Sequence, residues 1–578
     1  VLIDLLRKAL GRPNDARPGP EAVVAEALAL EAAGRPGDAL RGLRAALDGG
    51  AARSNALLRT LARLEAQSGD PGRAVALLTE AVAANPASAD TLGDLGNAYL
   101  MLDADREAES AYLRALEAQP EHAVSLNNLG LLRTRSGERE AALDCFRRAY
   151  RANPDFTPAL QNLVAWLPDS TVPHEDIAML EGMIARTPGN AAAHAALGAL
   201  HLRGAFNAGP ALAALDRAIG LGADDPQVHT GRGVALHELG RHAEALAEFD
   251  RALVHDPRDI HARFHRAVTL LAQQRYEEGW PDYALRLESE GPGRRTFPHP
   301  PWEGQDLAGR TLLVYAEQGI GDEILFASCL PDVVAHAAQV VIDCDPRLAS
   351  LYRRSFPAAE IRGASQVEPT EWAAQLAADF QAPIGNLPRY LRRTVGAFPP
   401  HAGYLRADPD RIAYWRAQLA SDDETAPRVG LSWRGGTLRS RGPARSVAPE
   451  QLAPLFDVAG LRWVNLQRAA SARELDGVAK TPLAWPDALE DLDDTAALLG
   501  ALDLVITVDN TVAQLAGATG RPVWLLLPFS PEWRYGTGGE RTPWYPTARL
   551  FRQSSPGDWK TAIDRVAREL CTWVAARR

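Results

Sequence analysis

The chain has 578 residues, of which 46% are hydrophobic and 23% charged. These are globular proportions, and they exclude intrinsic disorder and a low-complexity or collagen-like fibre. A surplus of acids over bases gives a net charge of −11. That excludes a general duplex nucleic-acid binder, which needs a dominant cationic surface. The length allows about three to five ordinary domains, or fewer if one is a repeat array.

Cys145, Cys329, Cys344 and Cys571 lie far apart, without a CxxC pair or a Cys/His cluster. Neither a zinc site nor a disulfide framework is expected, and the compartment reads as reducing and cytoplasmic. No apolar run reaches the roughly 18 residues of a membrane span. Val1–Leu10 carries Asp4, Arg7 and Lys8 and does not read as a signal peptide. A start at Val rather than Met reads as a trimmed N-terminus.

The first half repeats. Pro86, Pro120, Pro154 and Pro188 are each 34 residues apart, as are Gly96 and Gly130. Gly198 lies two periods further on, with Gly233 after it. Ala108, Tyr112 and Ala115 recur as Ala142, Phe146 and Ala149, and again as Ala245, Phe249 and Ala252. This is the tetratricopeptide (TPR) pattern. Gly and Ala permit close helix packing, the aromatic fills the gap, and Pro ends the second helix. About eight units are expected from Pro20 to Gly293. The Pro154–Pro188 unit is weak, and His261–Glu290 is a drifted cap.

A solenoid binds on its concave face. Asp94, Asn128 and Asn162 occupy one first-helix register, 34 residues apart. They are candidate acceptor-peptide ligands, similar to the asparagine ladder of O-GlcNAc transferase repeats. Equally, Asn-Leu-Gly is a common repeat phrase with no ligand. His194, His229 and His237 read as ordinary helix residues, not metal ligands.

After Gly291 the pattern changes. Gly291–Arg295 reads as a linker and Pro298–Trp302 as a stiff connector. Thr311–Ala316 and Val340–Asp343 are expected strands, followed by helices over Asp322–His336 and Pro346–Phe356. A second series has strands at Val429–Trp433, Leu461–Leu466, Leu504–Val508 and Val523–Leu527, with Asp410–Ser421 as the bridging helix. Strand–helix alternation predicts parallel sheets, and two tandem lobes place a cleft at the carboxyl ends of their strands.

Four segments could carry chemistry. Glu317–Glu323 follows a strand and opens a helix. There Gly319 and Gly321 allow close backbone approach, and Asp322 is either a cleft carboxylate or a plain N-cap. In the strand-to-helix turn Asp509-Asn510-Thr511, free amides and a hydroxyl can cradle phosphate. Ser432–Arg445 carries Arg434, Arg439, Arg441 and Arg445 without an acid, which is either a local anion site or a solvated loop. Phe529–Pro546 mixes Trp533, Tyr535, Trp544 and Tyr545 with Arg534 and Arg541, either a sugar or base platform or loop packing.

The phrases AEQGIGDEILFASCLPD, VGLSWRGG, NLQ, DLDDTAALLGALDLVITVDNTVAQLAGATGRPVWLLLP, PEWRYG and TPWYP resemble bacterial TPR proteins with a C-terminal heptosyltransferase-like, family 9-type GT-B domain. Among them, the fused arrangement is similar to the FlmG-like flagellin glycosyltransferases. The resemblance implies a TPR superhelix over 1–293 that binds the acceptor. It implies a GT-B N-terminal lobe over 294–405 and a donor-binding lobe over 406–578. It implies an inverting, metal-independent enzyme with no cofactor beyond its nucleotide-sugar. Flagellin is the implied partner and a nonulosonic acid of the pseudaminic or legionaminic type the implied sugar. Asp322 matches the catalytic base, and Asp509 and Thr511 match the donor-phosphate turn. Gly319, Gly321, Trp433, Arg434, Arg439, Arg441, Arg445, Gln467, Asn510 and Gln514 complete the expected donor site. Gln514 stands where such turns usually carry His, a departure that tells against an NDP-heptose donor; the arginine-rich loop could instead serve a CMP-linked acidic sugar, whose carboxylate needs a cation. The chemical half is expected to fold separately from about Pro298. Two alternatives stand beside this reading: a degenerate TPR scaffold or secretion adaptor, and a transferase acting on a glycolipid or small molecule.

Overall fold

The computed structural model describes residues 19–167, 173–203, 207–289, 295, 297–363, 372, 375–420, 426–436, 441–471, 474 and 483–577. The expected linker residues Gly291–Gly293, and Arg439, lie outside this set. The chain forms two compact units, Val1–Ala205 and Phe206–Arg578.

The first unit is helical. Its helices run in pairs, such as Asn55–Gln67 with Pro71–Ala84, Ala89–Leu100 with Asp105–Ala118, and Ala123–Arg135 with Arg139–Ala152. Local chemistry sets the ends. Ser54 and Asp70 accept bonds from Leu57 N–H and Arg73 N–H at 3.3 and 2.9 Å, each capping a helix start. Pro86, Pro120 and Pro154 each stand just beyond a helix C-cap, where the ladder has already ended. The repeating glycine has a packing cause. The ring of Phe146 lies so close to Gly130 that a methyl there would stand 2.5 Å from a ring carbon, and Tyr112 crowds Gly96 in the same way. Buried charge is paired across repeats: Arg147 makes a two-pronged bond to the enclosed Asp176 at 2.8 Å for each prong.

The second unit begins with more repeat helices: Ala208–Gly220, Pro226–Glu238, His242–His255, Ile260–Ala272 and Tyr276–Tyr283. Gly233 meets Phe249 at the same 2.5 Å. Among the described residues, the helices of both units, taken in chain order from Pro20 to Tyr283, pair as eight successive hairpins.

Two parallel sheets follow. The first contains β1 (Thr311–Tyr315), β2 (Gln339–Cys344), β3 (Glu360–Gly363) and β4 (Phe380–Pro383), in the order β3-β2-β1-β4. The second contains β5 (Arg428–Ser432), β6 (Arg462–Asn465), β7 (Leu483–Ala484), β8 (Leu504–Val508), β9 (Val523–Leu527) and β10 (Ala548–Arg552), in the order β10-β9-β8-β5-β6-β7. The six strands expected from the sequence are the inner ones. The four that went unread, β3, β4, β7 and β10, are the sheet edges. The single long helix expected over Asp322–His336 is instead Ile320–Phe326, one 3-10 turn and Leu330–His336, with Pro331 at the start of the last piece.

The two sheets are tied at Ala402–Leu405. The Tyr404 and Leu405 N–H groups both donate to Ala518 O at 2.8 and 3.0 Å, while the Tyr404 hydroxyl donates to Ile324 O at 2.8 Å. Gly403 and Gly520 allow this close approach: both have positive φ, and a Cβ on either would run into the other segment's backbone.

The compact unit does not begin where the strands begin. Tyr276, Trp280 and Tyr283 of the last repeat share one core with Phe326, Trp533 and Trp544. Trp280 meets Trp533 edge-on with ring centres 5.5 Å apart, and its indole N–H donates to Arg392 O at 2.8 Å. The last repeats are thus part of the α/β core, and the boundary expected near Pro298 runs through it.

Candidate functional site

In both sheets the strand order reverses beside a central strand: β1 is flanked by β2 and β4, and β5 by β6 and β8. Crevices at such reversals, outside the carboxyl ends of the strands, are where open parallel sheets bind ligands. The segments singled out in the sequence lie there. Gly319–Glu323 follows β1, Trp433–Gly436 follows β5, and Asp509–Thr511 follows β8. Helices Ile320–Phe326 and Thr511–Ala518 pack together, so the turns of the two sheets meet.

A chain of charges runs through this junction. Asp322 is half-buried, and its Oδ1 accepts at 2.6 Å from Arg534, in the 3-10 turn Trp533–Tyr535 between β9 and β10. Burial opposes the charge of Arg534. The carboxylates of Asp322, Asp509 and Glu532 outweigh it and push its pKa well above the usual arginine value. Asp509 is buried and accepts from Arg445 Nη1 at 2.9 Å, from the Tyr535 hydroxyl at 2.7 Å and from Gln514 Nε2 at 3.2 Å. Burial, then the Asp509 carboxylate, hold the Tyr535 phenol protonated as a donor.

The expected donor residues divide. Asn510 caps its helix by accepting from Ala513 N–H at 3.1 Å, and its amide donates to Ser432 Oγ and Arg434 O at 2.8 and 3.0 Å. It thereby ties the β8 turn to the β5 turn. Thr511 is half-exposed at the helix start, Gly319 is exposed and Gly321 half-buried. Trp433 is fully enclosed in the second core, so its ring is a packing element rather than a stacking face. The buried Gln467 accepts from the Trp433 and Arg434 N–H groups at 3.1 and 2.8 Å and shapes the β5 turn from beneath. Gln514 is buried, bonded to Asp509, Tyr535 and Tyr545.

The described arginines of the 432–445 loop do not form an open cationic patch. Arg434 donates to Arg468 O and Ala469 O at 3.0 and 2.8 Å, Arg441 pairs with Glu238 of a repeat helix, and Arg445 pairs with Asp509. Each cation is already met by an acceptor from another segment. The aromatics Trp533, Tyr535, Trp544 and Tyr545 are buried, so the packing alternative holds for them. Arg534 carries the main site contact that the sequence reading left unassigned. It stands 212 residues beyond Asp322, without a local spacing to connect the two.

In the first unit, Asp94 accepts from Arg59 Nε at 2.6 Å, and burial pushes its carboxyl up. Asn128 donates to Asn97 at 2.6 Å and Asn162 donates to Asn127 at 2.8 Å. The register is thus a side-chain ladder stitching neighbouring repeats, with each member half-buried.

Beside Asp322, Glu323 points into the core and receives the Asp345 N–H at 3.2 Å. Burial, reinforced by the carboxylates of Asp345, Glu317 and Asp343 against that one N–H bond, raises its pKa from 4.5 to about 8. The folded state therefore binds the proton more tightly than the unfolded chain. Its contribution is present at acid pH and is lost as pH rises from about 4.5 through about 8. Glu323→Gln, which keeps the neutral shape, is expected to raise the melting temperature relative to wild type progressively over that range. Parallel melting profiles from pH 5 to 8.5 would refute the assignment.

Helical hairpins leading into two doubly wound parallel sheets define a repeat protein with an α/β half. Tetratricopeptide-repeat models match residues 24–89, 65–126, 123–156, 210–260 and 245–294. The chain is 34% identical over 444 residues to Protein FlbA of Caulobacter vibrioides, covering 72% of this chain and 73% of that protein. It belongs to the FlbA family. Solved structures that it resembles include a tetratricopeptide repeat protein from Parabacteroides merdae (17% identity, TM-score 0.29, 43% of this chain and 98% of that one). Another is YrrB, described as a TPR protein with an unusual peptide-binding site (22% identity, TM-score 0.28, 32% and 95%). No helix among the described residues is long and apolar enough to cross a membrane.

Proposed function

We propose that the α/β half is a GT-B glycosyltransferase with lobes over 294–405 and 406–578, and that the chain is an inverting protein O-glycosyltransferase. The observation that supports this most is the Asp322–Arg534 pair, a carboxylate at the reversal of one sheet facing a buried cation from the turn between β9 and β10 of the other. In this reading an acceptor Ser or Thr hydroxyl attacks the anomeric carbon of the donor. Its proton passes to Asp322, and the nucleotide leaves with the bonding pair. Arg445 exchanges Asp509 for the leaving phosphate, which also meets the first amides of helix Thr511–Ala518. The resemblance in the sequence extends the proposal to a nonulosonic acid carried on CMP and to flagellin as acceptor, held by the repeats.

The test is a thermal-shift panel of CMP-, UDP-, GDP- and ADP-linked ligands, followed by intact-mass analysis of flagellin incubated with the chain and the donor that binds. A CMP ligand should raise the melting temperature, and flagellin should gain the sugar mass. A chain that neither binds nor hydrolyses any nucleotide-sugar would instead be a scaffold. Donor hydrolysis without a protein mass shift would point to a glycolipid or small-molecule acceptor.

A further inference from the structure

Helices Pro226–Glu238 and His242–His255 form one repeat hairpin. Asp224 lies in the turn before the first helix, His229 one turn inside it, and His255 is the last residue of the second. One ligand atom from each comes within 4.8 Å of the others. His229 Nε2 is 2.8 Å and His255 Nε2 3.6 Å from the same Asp224 oxygen. Around a tetrahedral ion with bonds of about 2.0–2.2 Å, ligand atoms stand roughly 3.3–3.5 Å apart. Closing separations of at most 4.8 Å to that spacing asks for shifts of no more than roughly 1.5 Å, shared between the exposed Asp224 and His255 side chains.

We propose that Asp224, His229 and His255 form a site for a first-row divalent transition ion, zinc in the first instance. A second observation is independent of the triad itself. The inner nitrogen of His229, Nδ1, is bonded at 2.7 Å to Glu248, which is 2% exposed. Arg232 and Arg251 hold the other Glu248 oxygen at 2.7 and 2.5 Å. A carboxylate fixed in this way keeps the proton of a neutral imidazole on Nδ1 and turns the Nε2 lone pair outward, as second-shell carboxylates do for metal-binding histidines. His229 lines a surface depression of about 300 Å³ together with Asp224, Arg251, Val254 and His255. Imidazole nitrogens with one carboxylate suit zinc better than calcium or magnesium, and three protein ligands leave the fourth position to water or to a partner's side chain. The ion would staple the entry turn and both helix ends of this repeat.

The test is calorimetric titration of the full-length, chelator-treated chain with zinc chloride, in a Cys571→Ser background because that thiol is exposed. One equivalent is expected to bind. His255→Ala and Asp224→Asn, both changes at exposed positions, should each weaken binding at least ~10–100-fold while circular dichroism stays unchanged. Cobalt(II) should give the intense visible absorption of a four-coordinate ion, and this band should vanish in His255→Ala. No uptake by the parent chain, or uptake that both variants retain, overturns the site. The triad would then be an ion-pair network around a protonated His229.

Discussion

Asp322→Asn is expected to lower glycosyl transfer by about 10²–10⁴-fold, the usual contribution of a positioned general base. The substitution keeps the shape and can still accept from Arg534, but it cannot take up the acceptor's proton. Arg534 also faces Asp509 and Glu532, so the loss of one charge does not leave it unpaired. The stability cost should accordingly stay near ~1 kcal/mol, below the roughly 3–5 kcal/mol of a fully broken buried pair. The informative readout is the split between binding and turnover: the donor-induced rise in melting temperature should persist while kcat collapses. Near-wild-type turnover by the Asn chain would remove Asp322 from the mechanism. Loss of donor binding instead would assign it to positioning.

The second large effect concerns where the chain can be cut. A fragment starting at residue 207 is expected to unfold cooperatively, whereas one starting at 298 should expose apolar surface and aggregate or melt without a transition. The cut at 298 removes Leu271, Tyr276, Trp280 and Tyr283 from the core they share with Phe326, Trp533 and Trp544. Truncating a single buried aromatic costs about 3–5 kcal/mol, comparable to much of a domain's net stability. Trp280→Ala in the full chain should show the same weakness more gently, as a lower melting temperature and faster proteolysis of residues 298–578. A 298–578 fragment as stable as 207–578 would refute the shared core. It would also restore the simpler division in which repeats and sheets fold apart.

What could be read from the chain depended on how local its cause was. The repeat was legible because each signature acts within one hairpin. Gly130 must admit the ring of Phe146 sixteen residues later, and Pro154, just past the C-cap Asn153, bars the helix from continuing. The inner strands were legible for a related reason. Leu504–Val508 and Val523–Leu527 are covered on both faces, so they are apolar runs interrupted at Thr507 alone. Edge strands escape that constraint. Glu360–Gly363 carries Glu and Arg and is only half-buried, and Leu483–Ala484 is two residues long.

The candidate site shows the same division. Gly-x-Gly-Asp after β1 and Asp-Asn-Thr after β8 announced two turns, because a strand that ends in small or capping residues before a helix is a local event. The partners of those residues were another matter. Whether the arginines at 434, 441 and 445 met solvent or acceptors depended on Glu238, Asp509 and the carbonyls of 468–469, far away in the chain. Trp433 and Gln514 were turned inward by cores assembled from distant segments. The sequence alone determined a TPR array followed by parallel α/β layers, since periodicity and strand burial are written in consecutive residues. Tertiary structure alone decided that Arg534 reaches Asp322, that the last repeats belong to the α/β core, and that His229 and His255 share one carboxylate. Each of these is a meeting of side chains whose separation in sequence carries no period.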